Sequence, residues 1–194
     1  LEVRCKPYAL PTGAGPELKY LDSEGQTGVN LGVRAELAEG GLQVRLYPEH
    51  PVLAYRNFKL NKDNFVFLGK DKSIRADIDL LADDGTGLKI YGEPRDSMND
   101  LTVSVNQLNL GELSTVLPYL PRFTGMLSGD IHVTNDTLHS QLSAMASFQA
   151  DGFAYEGVAL GDIGLEVLYL PKTGGEHHAS AFISTAGEEV LACN

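Results

Sequence analysis

The sequence predicts an all-β fold, mainly antiparallel, on three observations. Apolar and polar residues alternate with a period of two over most of the chain, the pattern of half-buried strands. The alternating runs are short and separated by Gly-, Asn- and Asp-rich turns rather than by helical segments, so consecutive strands are antiparallel neighbours. A helix start signal stands near residues 110–120, inside an otherwise strand-like pattern.

Residues 1–28 are the least regular: Pro7, Pro11, Gly13, Gly15, Pro16, Gly25 and Gly28 interrupt them every few positions, and they read as a loop or crossing segment. Steady alternation begins at Val29, which makes 29–194 the sheet domain. Val29, Leu31, Val33, Ala35 and Leu37 share one face, and Gly40-Gly41 turns the chain into Leu42, Val44 and Leu46. Two short strands follow, Tyr55 to Leu60 and Phe65 to Phe67, separated by Asn61-Lys62-Asp63-Asn64. The clearest strand is Ser73 to Leu81, where Ile74, Ala76, Ile78 and Leu80 alternate with Arg75, Asp77 and Asp79. Asp83-Asp84-Gly85-Thr86-Gly87 returns it into Leu88 and Ile90, and Leu101, Val103 and Val105 keep the rhythm. The helix is expected over Gly111 to Leu117, capped by Asn109 with Glu112 three residues on, its apolar side Leu113, Val116, Leu117 and Leu120, and ended by Pro118 and Pro121. Strands resume over 125–134, 138–149, 153–160, 163–169 and 178–185, with Glu189 to Cys193 last.

A chain of 194 residues with 43% hydrophobic and 21% charged residues has the balance of a globular protein. At this length folding hides roughly 70% of the surface of the unfolded chain, so no metal or disulfide staple is required. The net charge of −11 is the wrong sign for nucleic acid, which needs a basic stripe, and for simple electrostatic docking on an anionic membrane. No run approaches the roughly 18 apolar residues of a membrane-spanning helix. The chain starts at Leu1 with no signal-peptide pattern and reads as a fragment of a longer precursor. Cys5 and Cys193 lie at opposite ends, outside any metal or redox spacing; a disulfide between them and two separate thiols are both compatible with the sequence.

Nothing in the chain assembles a catalytic motif. Asp77, Asp79, Asp83 and Asp84 have a composition that would suit Ca²⁺, but two share a strand face with Arg75 and two sit in a Gly turn, which reads as a solvated face and a turn signal. Glu176-His177-His178 lacks a second His at helical spacing and a nearby Cys, and reads as a polar loop after Gly174-Gly175. Gly125-Met126-Leu127-Ser128-Gly129 has the wrong spacing for a nucleophile elbow, and no phosphate-binding Gly loop precedes a helix. The sequence therefore points to a protein that is not an enzyme, with no cofactor and no metal.

One stretch resembles a known family. A strand ending in Leu108-Asn109-Leu110 leads to the Leu/Pro helix, then to Gly125-x-Leu127-Ser128-Gly129-Asp130-Ile131, and returns through Tyr155-Glu156-Gly157-Val158-Ala159-Leu160-Gly161-Asp162-Ile163-Gly164-Leu165. This order resembles the C-terminal region of TamB, AsmA-like proteins of the cell envelope, over roughly residues 55–194. The resemblance implies an elongated sheet curled into a trough, a β-taco, apolar inside and polar outside. It implies the periplasm of a diderm bacterium, an inner-membrane anchor on a segment outside this sequence, and a role in phospholipid transport between the two membranes or in outer-membrane protein assembly and secretion. The expected partners are phospholipid acyl chains and an Omp85-type (TamA-like) outer-membrane barrel, with self-association through edge strands. The physics fits: moving a 16-carbon acyl chain through water costs about 12 kcal/mol at about 0.8 per CH₂, and an apolar groove removes most of that. On this reading Ile74, Ala76, Ile78, Leu80, Leu88, Ile90, Leu101, Val103 and Val105 line the trough or its filled core. The alternative is a bacterial surface β-sandwich acting as a binding or adhesion module; zero Trp counts against sugar recognition, while eight Tyr and seven Phe supply aromatic surface.

Overall fold

Alternation becomes strand almost wherever it occurs. The computed structural model describes residues 2–10, 13–116, 121–139, 141–171, 176–185 and 188–193. Its strands are β1 (Glu2–Leu10), β2 (Gly13–Leu21), β3 (Thr27–Ala38), β4 (Gly41–Leu53), β5 (Arg56–Leu60), β6 (Phe65–Gly69), β7 (Ile74–Ala82), β8 (Gly87–Gly92) and β9 (Met98–Asn109). After the helix α1 (Leu110–Val116) come β10 (Phe123–Asp136), β11 (Gln141–Tyr155), β12 (Val158–Pro171), β13 (His177–Thr185) and β14 (Glu188–Cys193). All fourteen strands belong to one antiparallel sheet that follows chain order, except that β5 and β6 lie end to end between β4 and β7. Among the described residues there is no second sheet to make a sandwich.

The sheet divides into two faces by register. Ala76, Ile78 and Leu80 of β7 stand opposite Gly92, Ile90 and Leu88 of β8, which in turn stand opposite Leu101, Val103 and Val105 of β9. Val103 and Leu101 face Ile131 and Val133 of β10, and the same row continues through Ala146 of β11 and Val167 of β12 to Ala181 of β13. In the other direction Leu80 faces Leu60 of β5, and Leu53 of β4 faces Val29 of β3. One face is thus apolar from β3 to β13, the strands keeping period two in one phase except at the irregularities in β4, β9, β11 and β12.

Four expectations need correction. Residues 1–28 are not irregular: β1 pairs with β2 from Glu2↔Leu21 to Leu10↔Gly13, and β2 pairs with β3. The prolines hid this, but Pro16 stands opposite Pro7 of the outer strand β1, where the β2–β3 pairing lapses between Ala14↔Ala35 and Glu17↔Gly32, so the missing N–H interrupts little of the ladder. Tyr55 does not open a strand; Ala54 and Tyr55 both have positive φ (49° and 63°) and form the two-residue turn from β4 to β5, as a primed hairpin turn demands. The strands expected over 138–149, 153–160 and 163–169 are two long ones. Asp151-Gly152 and Gly161-Asp162, which fall in the gaps between those expected strands, are bulges within β11 and β12 (φ +60° and +82° at the glycines), and the turn is Glu156-Gly157 (φ 48° and 82°). His177 begins β13 and is stacked on Tyr169, with 2.7 Å between Nδ1 and the phenol oxygen, rather than lying in a loop; the rest of that expected loop falls outside the described residues.

The helix forms where its cap is. Asn109 Oδ1 accepts the N–H groups of Gly111 (2.9 Å) and Glu112 (3.4 Å), satisfying two orphan donors of the first turn. Leu117 and Leu120 lie outside the described residues. Gly129, in the segment that carries the family resemblance, has a packing reason: a Cβ there would overlap the Ser147 carbonyl and the Phe148 ring opposite it, so the ring covers the glycine.

Candidate functional site

The nine residues expected to line the trough all fall on the apolar face, since Ile74 shares the phase of Ala76 on β7 and the other eight are tied by register. They do not share one environment. Ala76, Ile78 and Leu80 are buried, and Ile78 and Leu80 belong to a filled core with Phe58, Leu60 and Ala82, against which Leu88 and Ile90 pack. Ile74, Leu101, Val103 and Val105 are half-buried.

Beside this core the face stays hollow. A cavity of 330 Å³ is walled by Leu18 of β2, Val29 of β3, Phe58 of β5, Leu80 of β7, Val105 of β9 and Leu113 of α1. On a flat sheet the six strand spacings from β2 to β9 would cover about 29 Å. A single small cavity touching both strands requires the sheet to curl toward its apolar side.

Arg56, just after the β4–β5 turn, closes one wall of the cavity. Its Nη2 donates to Glu112 Oε1 of α1 (2.6 Å), and its Nη1 donates to Thr86 Oγ1 (2.8 Å) and pairs with Asp84. The Glu112 carboxylate beside it raises the guanidinium pKa further above its ordinary value. Asn109 Nδ2 also donates to Glu112 Oε1 (3.4 Å), so the helix cap and the ion pair meet at one oxygen. On its other side the Arg56–Glu112 pair borders an open depression of 390 Å³ lined by Ala54 and Tyr55.

Three carboxyls are held below the ordinary value of 3.8: Asp84, first by the Thr86 N–H it accepts, Asp71, first by the Ser73 hydroxyl, and Asp136, first by the His139 ring. A carboxyl whose folded pKa is depressed lends stability that is present above its unfolded value and is lost as pH falls through the lower folded one. The urea midpoint is therefore expected to hold from about pH 7 to about pH 5 and to fall below about pH 4. A midpoint that rises on acidification would contradict these assignments.

Past β9 the apolar face continues outside the core cluster, with Ala150 of β11 as its buried apolar residue. Val167 of β12 and Leu191 of β14, both in its phase, are 36% and 53% exposed. The opposite face is mostly polar there, apart from a depression of 380 Å³ where Met145, Leu168 and Phe182 sit among Asp130, His132 and Glu166.

The four aspartates do not converge. Asp83 pairs with Lys59 (2.6 Å), Asp84 pairs with Arg56, and no metal-binding group occurs among the described residues. Cys193 is an exposed free thiol on β14, and among the described residues no helix is long and apolar enough to cross a membrane. No protein-family model, curated protein or solved structure matches the chain. Sequence reading missed Arg56 and the cavity it closes. The lone positive charge in Tyr55-Arg56-Asn57-Phe58 falls in the phase of Phe58 and Leu60, and that phase is the signal that could have found it.

Proposed function

We propose that this chain is a non-enzymatic segment of a TamB-like envelope protein, and that its curled apolar face shields phospholipid acyl chains on their way across the periplasm of a diderm bacterium. The observation that carries the reading is a single sheet whose apolar row runs from β3 to β14 with no second layer over it among the described residues. A globular protein hides such a row beneath another layer, because each buried CH₂ is worth about 0.8 kcal/mol. A row left for a guest uses the same free energy to hold acyl chains. An Omp85-type barrel is the proposed partner, with outer-membrane protein assembly as the related process, and pairing of edge strands with a second copy is a proposed property of this segment.

Native mass spectrometry of protein expressed in a diderm periplasm and purified without detergent tests the proposal. Phospholipid adducts are expected on the wild type and should be lost in Val105→Asp, which puts a carboxylate in the cavity wall. Protein free of lipid, or adducts indifferent to Val105→Asp, would contradict it.

A further inference from the structure

We propose that the outer-face depression on β10 to β13 docks a segment of a partner protein in which a basic residue stands between apolar ones. The charge of the chain is unevenly placed. Residues 98–194 hold eleven Asp and Glu against two Lys and Arg, whereas residues 1–97 hold fifteen against thirteen. The part of the sheet from β9 onward therefore carries most of the net negative charge and favours a cationic partner. Because the first 97 residues are themselves slightly acidic, a second copy of the chain is a poor match for it. Within this acidic part the depression is the apolar place on a polar face. Met145 of β11 stands opposite Leu168 of β12, and Phe182 of β13 lies in the next row. In that row Asp130, Ser147, Glu166 and Phe182 are successive cross-strand partners, which sets a carboxylate on each side of Ser147. The positions that bear the two carboxylates are two strand spacings apart, about 10 Å, so one guanidinium or ammonium above Ser147 lies within reach of both. Neither Asp130 nor Glu166 has an ion-pair or hydrogen-bond partner among the described residues, whereas their neighbour His132 is engaged by Asp100 (2.7 Å). Met145 is 52% exposed, so covering the apolar floor supplies binding free energy while the carboxylates select the charge of what covers it. The depression lies on the face opposite the apolar row, and the inference stands apart from the acyl-chain reading.

Methyl NMR of the full chain, isotope-labelled at its three methionines, tests this. Met98, Met126 and Met145 are all partly exposed, and Met145 alone lines the depression. Titration to millimolar concentration with the peptide acetyl-Gly-Leu-Arg-Leu-Gly-amide, at low ionic strength, should shift the Met145 signal and leave the other two in place. The same peptide with glutamate in place of arginine should leave all three unmoved. Asp130→Asn combined with Glu166→Gln, both at exposed positions, should keep the fold and weaken binding of the arginine peptide on the order of fivefold. A Met145 signal that stays in place, an equal shift with the glutamate peptide, or binding indifferent to the two substitutions overturns the docking site. A Met145 signal that moves with protein concentration alone overturns it in favour of a second copy.

Discussion

Ile78→Asp is expected to cost about 5 kcal/mol or more, enough to abolish folding of a domain of ordinary stability. Ile78 is 4% exposed and packed among the apolar side chains of Phe58, Leu60 and Leu80, which would surround a carboxylate. The same substitution at Ile183, half-buried in the same phase on β13, should cost about 1–2 kcal/mol and leave a folded chain. Urea denaturation followed by circular dichroism reads both. The contrast separates the two parts of one apolar face: a filled core around β5 to β8 and an open surface from β10 onward. Equal costs at the two positions would mean that the face is a uniform core.

Asn64→Ala should destabilise by about 3 kcal/mol, as measured in the same denaturation experiment. Asn64 is 5% exposed and its side-chain amide holds both main-chain groups of Leu46: Oδ1 accepts the Leu46 N–H (2.7 Å), and Nδ2 donates to the Leu46 and Asn61 carbonyls (3.3 and 3.0 Å). It stands where β5 ends and β6 begins, so β4 has no continuous partner strand there and the side chain takes the place of one. Removing it leaves a donor and an acceptor of β4 without partners in a buried place. A loss below about 1 kcal/mol would mean that water replaces the amide at little cost.

These two residues also mark what the sequence discloses and what it hides. Ile78 is legible because period two is local: every residue of β7 announces its face, and the nine residues read as one apolar row do fall on one face. Asn64 is not, because Asn-Lys-Asp-Asn has the composition of a turn whether its last residue points to water or into the sheet. Asp151-Gly152 and Gly161-Asp162 fail for a related reason: the same positive φ that makes Gly a turn residue also makes it a bulge residue, and only the partner strand decides between them. The Arg56–Glu112 pair joins residues 56 positions apart, and no local period reports a contact of that range. The split of the apolar face into filled and hollow parts is set by how far the sheet curls, a property of the whole strand order.

If acyl chains lie on one face of this sheet, adjacent residues of β13 distinguish that face from the other. Ile183 belongs to the apolar face, whereas Phe182 points to the opposite one, into the depression with Met145 and Leu168. A photo-crosslinking amino acid placed at each position in turn, in protein expressed in a diderm periplasm, should capture phospholipid at 183 and not at 182. Capture at 182 alone, or equally at both, would contradict the account, because it would put lipid on the outer face or on no face in particular.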